Sequence, residues 1–183
     1  FIKKNYDYKY FLLTHSATAA LEIAAMVLKE DAKLHNSRVI MPSYTFSSTA
    51  NAFLRSNYKI KFIDINPKNM MADVSKVSFK KNDIFVPVHY AGSYFDFDKY
   101  FNSTDNKPEI IEDAAQGIGA FYKNKPLGTI GDIGCLSFHD TKNISCGEGG
   151  GIFINDLSLK MKAEIVREKG TNRAAYFRGE INK

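Results

Sequence analysis

The residues able to do chemistry fall in four short stretches, each following an apolar run. The first is Thr14-His15-Ser16-Ala17-Thr18-Ala19-Ala20. Small residues at a helix start leave backbone N–H groups open to an anion, and the helix dipole favours negative charge there. The stretch reads either as a phosphate cradle or as an ordinary Ser or Thr N-cap. The second, Pro42-Ser43-Tyr44-Thr45-Phe46-Ser47-Ser48-Thr49, offers an aromatic ring that could stack on a flat ligand. Taken alone, Phe46 fits core packing better. The third, Glu112-Asp113-Ala114-Ala115-Gln116, puts acid at the end of a buried run. That is costly without a cationic partner, from the protein or from a ligand, or a helix end to cap. The fourth runs Ser137-Phe138-His139-Asp140-Thr141-Lys142-Asn143 and on into Gly147-Glu148-Gly149-Gly150-Gly151. A lysine held in a cleft with a lowered pKa can act as an amine nucleophile; the commoner alternative is a surface lysine.

To bring these stretches together the chain must bring strand ends together. Short runs rich in Val, Ile and Phe predict strands over 10–14, 38–41, 59–64, 83–89, 109–112, 134–138 and 151–154. Such runs fit strands buried on both faces of a largely parallel sheet. Helical periodicity lies between them over 16–30, 47–56 and 96–101, and a further helix over 156–169 is capped by Asp156 and stopped by Gly170. Tyr122-Lys123-Asn124-Lys125-Pro126 reads as a tight surface hairpin. Strands alternating with helices predict an open α/β sheet, in which function gathers at the carboxyl ends of the strands.

Composition narrows the classes. The 183 residues are 44% hydrophobic and 25% charged, ordinary globular usage. At roughly 150 residues per domain this is one domain, long enough to bury a core without a staple. Two cysteines make a reducing cytoplasm the default. The net charge of +5 comes from scattered lysines. Lys3-Lys4 and Lys80-Lys81 are only pairs, so the pattern argues against nucleic acid and suits an anionic small molecule. The longest apolar stretch, 17–28, is broken by Thr18 and Glu22 and falls short of the ~20 residues of a spanning helix. No membrane segment or metal ligand is assigned. The glycines miss the dinucleotide pattern, since positions 122 and 152 are Tyr122 and Ile152, and there is no G-x-x-x-x-G-K-[ST] loop. The chain opens on Phe1 without an initiator Met and ends on Lys183 without a closing element, so both ends look cut.

A phosphate cradle, a stacking ring, a buried acid and a lysine together match what pyridoxal phosphate needs. At these residues the sequence resembles the DegT/DnrJ/EryC1/StrS sugar aminotransferases. The matching stretches include Thr18-Ala19-Ala20-Leu21-Glu22, Met41-Pro42-Ser43-Tyr44-Thr45-Phe46, Val86-Pro87-Val88-His89-Tyr90-Ala91-Gly92, Glu112-Asp113-Ala114-Ala115-Gln116-Gly117, Ser137-Phe138-His139, Thr141-Lys142-Asn143, Gly147-Glu148-Gly149-Gly150 and Arg167-Glu168-Lys169-Gly170-Thr171-Asn172-Arg173. They follow the family's order along nearly the whole chain.

The resemblance implies an aspartate-aminotransferase-like fold (fold type I), a mostly parallel seven-stranded sheet in the order 3-2-4-5-6-7-1 with the last strand antiparallel. It implies Lys142 as the Schiff-base lysine, Asp113 as partner of the ring nitrogen, Gln116 at the ring hydroxyl and Phe46 stacked on the ring. Ala17, Thr18 and Ser137 would bind the cofactor phosphate, and His139 would sit near substrate or cofactor. Glutamate would donate the amino group to the C4 ketone of a nucleotide-linked sugar, with dTDP-4-keto-6-deoxyglucose as substrate and a galacto-configured amine as product, for cell-surface polysaccharide. Some relatives are dehydratases with histidine in place of the lysine; Lys142 argues for transamination. Family members are longer homodimers, so 1–183 would be the cofactor-binding large domain, lacking an N-terminal helical segment and a small C-terminal domain. The competing reading is an inactive fragment that serves only for packing or oligomerisation.

Overall fold

The computed structural model describes residues 1–101 and 106–181. Its elements run α1 (Ile2–Asn5), β1 (Phe11–Thr14), α2 (Ala17–Lys29), β2 (Arg38–Pro42), α3 (Ser47–Arg55), β3 (Lys59–Ile63), β4 (Ile84–Phe85), α4 (Phe97–Phe101), β5 (Glu109–Asp113), β6 (Phe121–Tyr122), β7 (Lys125–Pro126), β8 (Ile133–Ser137), β9 (Gly150–Ile154), α5 (Lys160–Arg167) and α6 (Arg173–Phe177). Single 3-10 turns lie at Tyr90–Gly92 and Leu157–Leu159.

Seven strands form one sheet in the order β3-β2-β4-β5-β8-β9-β1. Numbered along the sequence, this is the expected order. The pairs from β3 to β8 are parallel, and β9 runs antiparallel to both of its neighbours. The β6–β7 hairpin stands apart, its turn made by Lys123 and Asn124 at φ 45° and 66°. Asparagine tolerates that left-handed conformation better than most residues.

The apolar periodicity explains the layers. On α2, Ala20, Leu21, Ala24, Val27 and Leu28 are all essentially inaccessible to water. They pack on the sheet face carrying Val39, Met41, Ile84, Val86 and Ile111. The opposite face carries Ile40, Phe85, Ile110 and Leu136 under Phe95, Phe97 and Phe101. Consecutive residues such as Ile110 and Ile111 therefore serve different layers, as alternation along a strand requires. The next pair on β5, Glu112 and Asp113, inherits the same division.

Three elements differ from expectation. The strand over 83–89 forms a ladder only at Ile84–Phe85, because Pro87 has no N–H to donate. The chain nonetheless keeps beside β5: Asp113 N–H donates to Pro87 O (2.9 Å) and His89 N–H to Asp113 O (3.0 Å). Strand β3 is an exposed edge, not a doubly buried strand; Lys59, Lys61 and Phe62 all face solvent. Two lysines on an open edge discourage pairing with another chain. The helix over 156–169 begins as a 3-10 turn under its Asp156 cap and becomes α-helical at Lys160. Helices α1 and α6 have no counterpart in the sequence reading.

At the amino end of β5, burial and then the Asp132 carboxylate push Glu109 up to about 7. Folding therefore favours protonated Glu109, a contribution complete below its ordinary value of 4.5 and lost as pH rises through about 7. Denaturant unfolding at pH 5 and pH 8 should show a larger fall in stability for the native chain than for Glu109→Gln. Equal falls would contradict the assignment.

Candidate active site

A cleft of about 710 Å³ opens at the carboxyl ends of the parallel strands. Its walls come from the segments after β2, β4, β5 and β8 and from the first turn of α2. Ala17, Thr18, Phe46, Asp113, Gln116, Ser137, His139 and Lys142 all line it.

One end is built to take an anion. Ser16 caps α2: its Oγ accepts from Ala19 N–H (3.1 Å) and its carbonyl from Ala20 N–H (3.2 Å). The preceding N–H groups, of Ala17 and Thr18, have no hydrogen-bond acceptor among the described residues. The N-cap is thus present, and the N–H groups of Ala17 and Thr18 are left open to an anion. Register explains the position of Ser137: Thr14, Gly150 and Ser137 stand side by side across β1, β9 and β8. Gly150 lies under the start of α2, where a Cβ would come within 2.3 Å of the Ser16 carbonyl carbon and 2.6 Å of Ala17 N. This glycine serves close approach; it lets the helix start settle against the sheet beside the Ser137 hydroxyl.

Asp113 is the acid of the cleft. Its carboxylate is nearly buried, with Oδ2 accepting from Thr49 Oγ1 (2.6 Å) and Oδ1 from Ala115 N–H (3.1 Å). Burial pushes the carboxyl up, and the Thr49 bond, the Ala115 N–H and the charges of His89 and Lys142 act against it without cancelling it. Glu112, one residue earlier, faces the other layer and is fully used. Its Oε1 accepts from Ile130 and Gly131 N–H (both 2.7 Å), its Oε2 from Gly128 N–H and the His89 ring (both 2.9 Å). Of the two acids at the end of β5, one ties loops to the sheet and the other is left facing the cleft.

The remaining groups surround that acid. Phe46 sits at the N-cap of α3 and is 75% exposed, which overturns core packing as its reason. A residue that starts a helix at a strand end has no layer above it to pack into. Gln116 Oε1 accepts from Ala91 N–H (2.8 Å), leaving its Nε2 donor unengaged among the described residues. Lys142 is half-buried and its Nζ has no ion pair among the described residues. His139 is held by its own loop: Nδ1 lies 2.7 Å from Asp140 Oδ1 and Nε2 lies 3.3 Å from Glu148 Oε1. Tyr44 and Tyr90 join hydroxyls at the rim (3.1 Å).

These parts fit the pyridoxal phosphate expected from the sequence. Two unpaired N–H groups and a hydroxyl suit a phosphate, an exposed ring suits a planar heterocycle, and a buried acid suits a protonated ring nitrogen. No cluster of three or more potential metal ligands occurs among the described residues. Sequence reasoning missed Thr49 and His89, although both stand inside quoted motifs. The apolar spacing on α3 predicts Ala50, Phe53 and Leu54 inward, but Leu54 is exposed and the buried stripe runs through Thr49, four residues before Phe53, where a threonine gives no sign of its acidic partner.

Thr49→Val keeps the shape and removes the donor. It should cost about 1–3 kcal/mol at pH 8, the usual penalty for a buried acceptor left unpaired, and less at pH 5. Urea unfolding at the two pH values checks this.

Comparison with known proteins agrees with the geometry. UDP-4-amino-4-deoxy-L-arabinose--oxoglutarate aminotransferase of Shewanella sediminis is 33% identical over 168 residues, 89% of this chain and 42% of its own. The Helicobacter pylori structure of PseC, an aminotransferase in pseudoaminic acid biosynthesis, superposes with TM-score 0.80 at 27% identity, covering 91% of this chain and 45% of its own. DesI, solved in the presence of its TDP-sugar product, gives TM-score 0.79 at 28% identity over 92% of this chain and 43% of its own. The chain spans under half the length of the curated relatives it matches. The profile of the DegT/DnrJ/EryC1/StrS aminotransferase family matches residues 2–181. The chain belongs to that family.

Proposed function

We propose that residues 1–183 form the pyridoxal-phosphate-binding large domain of a sugar-nucleotide aminotransferase, completed by an N-terminal helical segment, a small C-terminal domain and a second copy of the protein. One observation carries the reading: Lys142, Asp113 and the open N–H groups of Ala17 and Thr18 share a single cleft at the strand ends. Family membership and the aminotransferase relatives support it.

When bound, pyridoxal phosphate supplies a carbonyl that takes up an amine and a ring that stores an electron pair. The chain's own residues divide the remaining work. Ala17 and Thr18 N–H and the Ser137 hydroxyl hold the phosphate. Asp113 keeps the ring nitrogen protonated, which is what makes the ring an electron sink. Phe46 covers one ring face, and Gln116 donates Nε2–H to the ring hydroxyl. Lys142 would hold the cofactor through Nζ and, as a free amine, would take and return protons as general base and acid. His139 borders the substrate side. A lysine at 142, with no ion pair among the described residues, favours amino transfer over the dehydratase chemistry of relatives that carry histidine there.

Glutamate is the amino donor and the C4 ketone of a nucleotide-linked sugar the acceptor; the Shewanella relative, whose name joins a 4-amino sugar to oxoglutarate, supports both. The finer assignment is dTDP-4-keto-6-deoxyglucose to dTDP-4-amino-4,6-dideoxygalactose, in cytoplasmic synthesis of cell-surface polysaccharide. The TDP-sugar-bound neighbour supports the nucleotide. The +5 net charge suits a sugar diphosphate.

Borohydride reduction after addition of pyridoxal phosphate, followed by peptide mapping, tests the site. The label should fall on Lys142 and vanish in Lys142→Ala. In a separate, unreduced sample of the native chain with pyridoxal phosphate, glutamate alone should yield oxoglutarate in a half-reaction. Label elsewhere would overturn the site. Weak cofactor retention and no half-reaction with Lys142 intact would favour a packing module instead.

A further inference from the structure

Thr45 lines the cleft beside Phe46 and has no part in the chemistry proposed above. Its Oγ1 lies 2.8 Å from Thr49 Oγ1, and Thr49 Oγ1 lies 2.6 Å from Asp113 Oδ2. Three side chains thus form a line from the cleft wall to the acid. Thr45 belongs to the segment after β2, Thr49 to the first turn of α3 and Asp113 to the end of β5.

A hydroxyl has one proton to give. Distance alone leaves the direction of the Thr45–Thr49 bond open, but the acid decides it. A carboxylate only accepts, so Thr49 spends its proton on Asp113. The Thr49 oxygen is then left to accept from the Thr45 hydroxyl. A protonated Asp113 could donate instead, and the whole line would run the other way. Threonines in helices commonly turn the hydroxyl back to a carbonyl three or four residues earlier. For Thr49 those carbonyls belong to Phe46 and Thr45, and among the described residues its hydroxyl bonds to neither. A donor on its oxygen holds that hydroxyl toward Asp113, and bonds in such a line polarise one another. We infer that Thr45 is a positioning residue: by donating to Thr49 it directs the Thr49 proton onto Asp113 and holds the acid in the charged form that a cationic ring nitrogen needs. The place of this line in cofactor binding rests on the function proposed above; the line itself does not.

Asp113 needs the help. Burial pushes its carboxyl up, and the Thr49 bond is the largest influence acting against burial. The titratable groups nearby supply less. Lys142 approaches from the loop after β8, and its charge changes as it moves protons. His89 and Glu112 meet each other on the opposite face of the sheet. Cys135 pairs with Asp113 across β8, and burial holds its thiol far up, so it stays neutral. On α3 the titratable group is Arg55, at the far end and paired with Glu22. Elsewhere on the cleft wall His139 engages Asp140 and Glu148, and Tyr44 engages Tyr90. The hydroxyl line is the support that stays in place through every proton transfer.

A carbon-13 titration of the Asp113 carboxyl in the cofactor-free full chain, its signal assigned with Asp113→Asn, tests the inference. In Thr45→Val the midpoint should rise by about half a unit, roughly threefold in the ionisation constant. Thr45→Ser keeps the hydroxyl and should keep the native midpoint. Pyridoxal phosphate affinity at pH 8 should fall about threefold in Thr45→Val and hold in Thr45→Ser. An unchanged midpoint in Thr45→Val, or an equal rise in Thr45→Ser, would overturn the inference. If Thr45→Val does not fold, Thr45→Ala set against Thr45→Ser gives the same comparison. Failure of the borohydride label at Lys142 sinks the functional reading and leaves the carboxyl titration standing, so the two can fail separately.

Discussion

A carboxylate buried at the end of a central strand is costly unless donors and cations surround it. Strand β5 ends in two of them, and much of the cleft follows from how each is accommodated. Alternation sends Glu112 and Asp113 to opposite faces. Glu112 is answered by backbone: Gly128, Ile130 and Gly131 close over it, fixing the loop that leads into β8. Asp113 is answered incompletely. Thr49 brings α3 down onto it, and Ala115 turns the chain back toward it. The remaining deficit faces the cleft, which is where a cationic ring would complete the set.

The same geometry ties the anion end to the acid end. Docking of α3 over Asp113 sets Phe46, its N-cap residue, at the cleft wall. Register across β1, β9 and β8 aligns Thr14, Gly150 and Ser137, and the missing side chain at Gly150 seats the start of α2. One rigid sheet thus fixes both the phosphate donors and the ring partner. Function at strand ends needs no flexible loop to bring the phosphate donors and the acid together; Gln116, His139 and Lys142 are the members carried on connecting segments.

Much of this was legible before any coordinates. The apolar stripe on α2 and the Val-, Ile- and Phe-rich runs marked helix and strands, because burial depends on period. The hairpin at Lys123-Asn124 was legible because few residues accept that turn. The cleft residues were found as strand-end residues, but their roles came from family resemblance, since composition and spacing treat Glu112 and Asp113 alike. Only the fold shows that one is saturated and the other open. Phe46 misled because an aromatic residue near an apolar strand reads as core. Pro87 cut a seven-residue strand to a two-residue ladder because one absent N–H breaks pairing without bending the chain away. His89 was invisible because its partner lies 23 residues on and its isolated Nδ1 exists only in three dimensions.

The central claim is that the strand-end cleft holds pyridoxal phosphate with its ring over Asp113 and its tether at Lys142. A crystal structure of the full chain grown with pyridoxal phosphate tests it most directly. The account predicts density continuous with the Lys142 side chain, a ring nitrogen within hydrogen-bond distance of Asp113, and a phosphate on the N–H groups of Ala17 and Thr18. Cofactor density detached from Lys142, or a phosphate lodged away from the start of α2, would contradict it.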